Sequence, residues 1–196
     1  MTTTDSNSSQ SRYDSSAIAT WANAITACRA VVAPLLFIII SGRKGSWLAL
    51  ALWFLLSASD GIDGLVARRH GATRSGAFLD PLADKILVLG AMFTLVREDV
   101  YWVVPVVIIA AREVIISVYR TVAGSKGVSV PAKKLAKAKT VTQQFAVGFA
   151  LFPITALRAK WLWNGLLWVA VVLTVITGVQ YLVAARRTVA AQADQI

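Results

Sequence analysis

Residues 59–85 read SDGIDGLVARRHGATRSGAFLDPLADK. Four aspartates fall in this stretch: Asp60, Asp63, Asp80 and Asp84. The whole chain has ten acidic residues among 196, so nearly half are concentrated between two apolar runs. A carboxylate beside hydrocarbon is costly unless it meets a cation, and such residues mark function by default. Asp60 and Asp63 are three apart, Asp80 and Asp84 four apart, so each pair shares one face of a helix. A short connection lets the two pairs converge across a helix hairpin. An oxygen-rich site of this kind suits Mg²⁺ or Mn²⁺, which take carboxylates together with substrate phosphates. His70 is the only histidine and Cys28 the only cysteine, so nothing points to zinc or to an internal disulfide.

Outward from this stretch the chain is strongly apolar. Hydrophobic residues make up 57% of it, and mean hydropathy is +0.64. Apolar runs long enough to span a bilayer recur with little between them, and within lipid such runs must be helical. The expected fold is therefore all-α: a polytopic integral membrane protein with six transmembrane helices. Hydropathy puts them near 24–41, 46–66, 77–96, 101–123, 138–157 and 161–184. Residues 1–15 are polar and Ser/Thr-rich, a disordered tail without the basic and apolar regions of a secretory signal. Residues 16–22 (SAIATWA) form either a short interfacial helix with Trp21 at headgroup depth or a solvated linker. The catalytic domain is expected over 16–186 and a short C-terminal tail over 187–196.

The formal net charge is +10. With this much apolar sequence the partner is anionic lipid rather than nucleic acid. Six spans put both termini on one side, and most of the basic residues between spans lie there, including Arg68, Arg69, Arg74, Lys133, Lys134, Arg186 and Arg187. Fewer lie opposite: Arg43, Lys44, Arg97, Arg158 and Lys160. The positive-inside rule then makes the termini and the aspartate stretch cytoplasmic in a cell-membrane protein. Arg29, Lys85, Arg112 and Arg120 fall within expected spans, where that rule does not account for them.

Small residues and an arginine lie between the aspartates. Gly64, Ala67 and Gly76 let a ligand or a neighbouring helix approach the backbone. Arg68 offers planar donors to phosphate. The run Asp60-x2-Asp63-Gly64-x2-Ala67-Arg68-x7-Gly76-x3-Asp80-x3-Asp84 resembles the defining motif of the CDP-alcohol phosphotransferases. It is one residue shorter than the commonest form between Arg68 and Gly76. The resemblance implies a six-helix, generally homodimeric membrane enzyme with two divalent ions. Asp60 and Asp80 would bridge both ions, Asp63 and Asp84 would complete one site each, and Asp84 would be the general base. Gly64, Ala67, Arg68, Thr73 and Gly76 would line the CDP moiety, with Asn23 on its cytidine side.

The acceptor is read elsewhere. Arg112 and Arg120 lie two turns apart in the fourth span, and Lys137 and Lys139 at the start of the fifth. These four form an expected second anion pocket, favouring an acceptor that carries phosphate. Glu113 is either a simple partner for Arg112 or part of the site. The fragments Pro81–Lys85, Ala111–Glu113 and Lys137–Gln143 resemble the family branch that moves a phosphatidyl group from CDP-diacylglycerol to sn-glycerol 3-phosphate. A branch that uses phosphatidylglycerol as acceptor, forming cardiolipin, is the nearest competitor, and an inositol-phosphate acceptor comes third. Two other classes are a transporter with buried charges and a membrane prenyltransferase. Clustering of the acids at one membrane edge argues against the first, and the Gly-x2-Ala-Arg run argues against the second.

Overall fold

The computed structural model describes residues 21–70, 76–125 and 134–193. Within these residues the structure is helical, with no strand. The helices are α1 (Trp21–Ile39), α2 (Trp47–His70), α3 (Gly76–Arg97), α4 (Val103–Ser125), α5 (Lys134–Leu151), α6 (Pro153–Arg158) and α7 (Lys160–Ala193). Residues 1–20, which hold the expected polar tail and most of the SAIATWA segment, lie outside the described residues. Trp21 and Ala22 open α1 itself.

The expected fifth span, 138–157, is divided into α5 and α6. Pro153 has no N–H for the carbonyl of Phe149 four residues earlier, so the regular ladder stops there. The Thr155 hydroxyl donates to that Phe149 carbonyl and, at 3.1 Å, to the Phe152 carbonyl. A bend that would strand a backbone acceptor thus satisfies it with a nearby side chain. α7 runs on to Ala193, through residues assigned to the C-terminal tail.

The α1–α2 turn is built around two glycines in the left-handed region, Gly42 (φ 71°) and Gly45 (φ 68°). Gly45 is required twice over. Its backbone conformation disfavours L side chains, and a Cβ there would sit 2.6 Å from the Leu151 carbonyl oxygen. That closeness lets Ser46 N–H donate to the same carbonyl at 3.0 Å, tying the start of α2 to the end of α5.

α1 packs against α2 and α3, α3 against α4, and α7 against α4, α5 and α6. The core between them is apolar, with Leu36, Trp53, Leu87, Met92, Ile109, Val147 and Leu167 at 2% exposure or less. Packing is close where residues are small: the Phe37 ring fills the notch left by Gly90. The outside is apolar too, with Val31 and Ile38 about three-quarters exposed and Leu55, Ile115, Val118 and Val172 also open. Residues Lys160–Val183 of α7 form a stretch long and apolar enough to cross a membrane.

Candidate active site

The motif residues lie on consecutive helices. Asp60, Asp63, Gly64, Ala67 and Arg68 belong to the C-terminal part of α2, and Gly76, Asp80 and Asp84 to the N-terminal half of α3. Only residues 71–75 separate these helices, and both pack on α1. The side chains of Asp60, Asp63 and Asp80, like those of Asn23, Arg68 and the other CDP-side residues of α2, lie outside the described residues. So does Thr73 altogether. Asp84 is half-buried and keeps interactions of its own. The four motif aspartates themselves offer carboxylate oxygens only. Such a donor set fits hard divalent cations such as Mg²⁺ and Mn²⁺ and not softer metals.

A buried cation stands beside this stretch. The Arg29 side chain on α1 is 2% exposed, and its Nε donates to Ser59 Oγ at 3.4 Å. Ser59 in turn donates to the Leu56 carbonyl at 2.8 Å. Ser59 immediately precedes Asp60, so α1 is tied to α2 next to the first motif carboxylate.

One face of α4 gathers a second group of charges. Glu113 is 7% exposed, and its Oε1 accepts from Arg112 Nη1 at 3.0 Å and from Lys139 Nζ on α5. Arg112 also reaches α7, donating from Nη2 to Thr177 Oγ1 at 3.1 Å. The Arg112 side chain passes close to Gly178, where a Cβ would lie 3.4 Å from Arg112 Cγ. One turn on from Glu113, Ser117 donates to the Glu113 carbonyl at 2.6 Å and accepts from Lys85 Nζ of α3. Below Lys139 on α5, Gln143 Nε2 donates to Thr174 Oγ1 of α7 at 3.4 Å. Four helices thus meet at one polar knot. Buried charges are tolerated in such a place only when paired and hydrogen-bonded.

Of the four expected acceptor residues, two are in the knot. Arg112 and Lys139 share Glu113. Lys137 is exposed, because two residues along a helix is nearly opposite in direction. Arg120 is also exposed, though within electrostatic reach of Lys85 and Tyr181. Glu113 itself is the carboxylate of the ion pair, the simpler of its two readings. The sequence reading missed Lys85, Ser117 and Thr177 as members of this group. Lys85 carried a signal, being a lone cation at the head of an apolar run. The hydroxyls carried none, because serine and threonine are common on any helix.

Comparison with known proteins gives the family. Residues 19–176 match the family model described as CDP-alcohol phosphatidyltransferase. The chain is 32% identical over 171 residues to a CDP-diacylglycerol–glycerol-3-phosphate 3-phosphatidyltransferase of Rickettsia felis, covering 84% of this chain and 94% of the relative. It is 38% identical over 171 residues to the like-named protein of Shigella flexneri, covering 83% and 92%. A protein of Mycobacterium tuberculosis named probable phosphatidylglycerophosphate synthase is 36% identical over 180 residues, covering 88% and 84%. The chain belongs to the CDP-alcohol phosphatidyltransferase family.

Proposed function

We propose that the protein transfers a phosphatidyl group from CDP-diacylglycerol to sn-glycerol 3-phosphate, releasing CMP and forming phosphatidylglycerophosphate. The observation that carries the acceptor assignment is the knot on α4, where Arg112 and Lys139 share the Glu113 carboxylate and Lys85 is held by Ser117 one turn on. A surplus of buried positive charge needs an anion, and an acceptor bearing phosphate supplies one. The names of the Rickettsia, Shigella and Mycobacterium relatives support the same acceptor.

In this reading Asp60, Asp63, Asp80 and Asp84 would hold two Mg²⁺ or Mn²⁺ ions, which would neutralise charge developing on the pyrophosphate oxygens. Gly64, Ala67, Arg68, Thr73 and Gly76 take the CDP group, with Asn23 on the cytidine side. Arg112 and its neighbours orient glycerol 3-phosphate by its phosphate. Asp84 takes the proton from the acceptor hydroxyl as that oxygen bonds to the lipid-side phosphorus. The bond from that phosphorus to the CMP oxygen breaks in line. Holding the reactants in this orientation supplies much of the rate by converting a two-body encounter into a local one.

Six membrane-spanning helices, α1–α5 and α7, accord with the apolar exterior and with the composition of α7. The termini and the motif face the cytoplasm on the basic-residue argument, and the enzyme works as a homodimer, as the family resemblance implies. The test is to give the purified protein CDP-diacylglycerol with glycerol 3-phosphate, phosphatidylglycerol or inositol phosphate, and to identify the lipid formed with and without a chelator. Phosphatidylglycerophosphate that needs a divalent ion is the expected product. Cardiolipin instead, or no CMP with any acceptor, sinks the assignment.

A further inference from the structure

The three cations of the knot do not have equal work. Lys139 is sealed, with a side chain 4% exposed and its ammonium given to Glu113. Arg112 has Nη1 on Glu113 and Nη2 on Thr177, while its buried Nε has no hydrogen-bond partner. Lys85 differs from both. It is half-buried, and its hydrogen bond goes to a neutral hydroxyl, that of Ser117. An ammonium has three donors, so Lys85 has two left to offer.

Its position is also distinctive. Lys85 follows Asp84 directly on α3, and α3 packs on α4. Glu113, Arg112, Arg120 and Asp84 all lie within electrostatic reach of it. Lys85 is thus the chain neighbour of the carboxylate placed as general base, and the guanidinium placed on the acceptor is within its electrostatic reach. Charge counting points the same way. Lys85, Arg112, Arg120 and Lys139 bring four positive charges and Glu113 and Asp84 remove two, leaving two. A phosphate monoester carries about −1.5 to −2 near neutral pH, which matches that surplus. A phosphodiester carries only one negative charge and would leave a buried cation uncompensated.

We propose that Lys85, held by Ser117, is a direct contact for the phosphate of the acceptor, and that Lys139 acts through Glu113 as a positioning residue for Arg112. The inference rests on the glycerol 3-phosphate reading and assigns the phosphate contact within it. Lys85 and a free terminal N–H of Arg112 grip the phosphate monoester, while the buried Glu113–Lys139 pair fixes the guanidinium. The site selects a monoester over a diester by charge.

The experiment measures KM for sn-glycerol 3-phosphate and for CDP-diacylglycerol in the full-length protein, with Lys85→Met, Lys85→Arg and Ser117→Ala variants. Binding is read separately as the rise in melting temperature that glycerol 3-phosphate, but not glycerol, produces in the absence of the donor. Lys85→Met is expected to raise the acceptor KM about tenfold or more, leave the donor KM within about twofold, and abolish the thermal shift. Lys85→Arg restores part of both. Ser117→Ala raises the acceptor KM about threefold, because the cation stays but loses its tether. If the wild type makes phosphatidylglycerophosphate and folded Lys85→Met keeps its acceptor KM within twofold, Lys85 is not the contact. If Lys85→Met does not fold, an unchanged acceptor KM in both Lys85→Arg and Ser117→Ala overturns the proposal equally. A wild type that makes no phosphatidylglycerophosphate refutes the acceptor reading itself, a separate result.

Discussion

Lys139 of α5 donates its ammonium proton to the Glu113 carboxylate of α4, with side chains 4% and 9% exposed. The same oxygen accepts from Arg112, so one buried carboxylate fixes cations from two helices. Taking these charges out of water is costly, and the arrangement repays it only while all partners stay in place.

Removing the carboxylate should therefore be expensive. Glu113→Ala leaves Arg112 and Lys139 buried together, and loss of one partner from such a group costs about 3–5 kcal/mol. A melting curve in detergent should show a clear drop for Glu113→Ala. The triple replacement Glu113→Leu, Lys139→Met and Arg112→Met should recover much of it, since well-packed apolar residues often replace a buried ionic group at little cost. A single variant as stable as wild type would contradict the burial described for this pair.

Arg112 should matter to the acceptor rather than the donor. Arg112→Ala is expected to raise the KM for glycerol 3-phosphate about tenfold or more, with a much smaller change for CDP-diacylglycerol. Steady-state kinetics with each substrate varied in turn checks this. An effect confined to the donor would move Arg112 out of the acceptor pocket.

The motif carboxylates should be dispensable for folding and indispensable for turnover. Asp80→Asn is nearly isosteric, and the expected outcome is a monodisperse membrane protein that releases no CMP. Near-normal CMP release from that variant would rule out the two-ion assignment.

The two glycines of the α1–α2 turn give a matched pair. Gly42 and Gly45 share a left-handed backbone, but a Cβ at Gly42 meets nothing within 4 Å while one at Gly45 meets the Leu151 carbonyl at 2.6 Å. Gly42→Ala should cost only the conformational penalty, about 1–2 kcal/mol. Gly45→Ala should cost more, because it also pushes α5 away from Ser46. Equal melting temperatures for the two variants would argue against the contact.

Glu98, in the turn between α3 and α4, accepts from the Gly42 N–H at 2.6 Å and from Arg97. The Gly42 bond, then the Arg97 side-chain bond, holds its carboxyl below the usual glutamate range. A carboxyl whose pKa is lower folded than unfolded adds stability at pH above its unfolded value. That contribution fades as pH falls through the folded value. Hydrogen exchange at the Gly42 amide should thus speed up, relative to neighbouring amides, as the solution is acidified through that range. In Glu98→Gln the amide should exchange faster at neutral pH and lack this acid step.

Much of the fold was legible because apolar runs of spanning length can satisfy their backbone in lipid only as helices. The start and end of most helices lie close to the hydropathy estimates, whereas α5 stops at Leu151 because of Pro153. The proline was visible in the sequence, but the hydroxyl of Thr155 that stabilises the bend was not. The acceptor cluster was half legible. Arg112 and Lys139 were recognisable as cations in apolar surroundings, but which face of α5 turns inward is set by packing, and it selects Lys139 over Lys137.

By itself the sequence determined the family and the helical fold: four aspartates at helical spacings with small residues and Arg68 between them, in a strongly apolar chain. That information is local, carried by spacing along one helix and the next. Tertiary structure alone decided the partners of the buried cations, because Lys85, Arg112, Glu113, Lys139 and Thr177 come from four helices and up to 92 positions apart. Buried charge must find its compensation wherever packing brings it, and no spacing rule along the chain encodes that meeting.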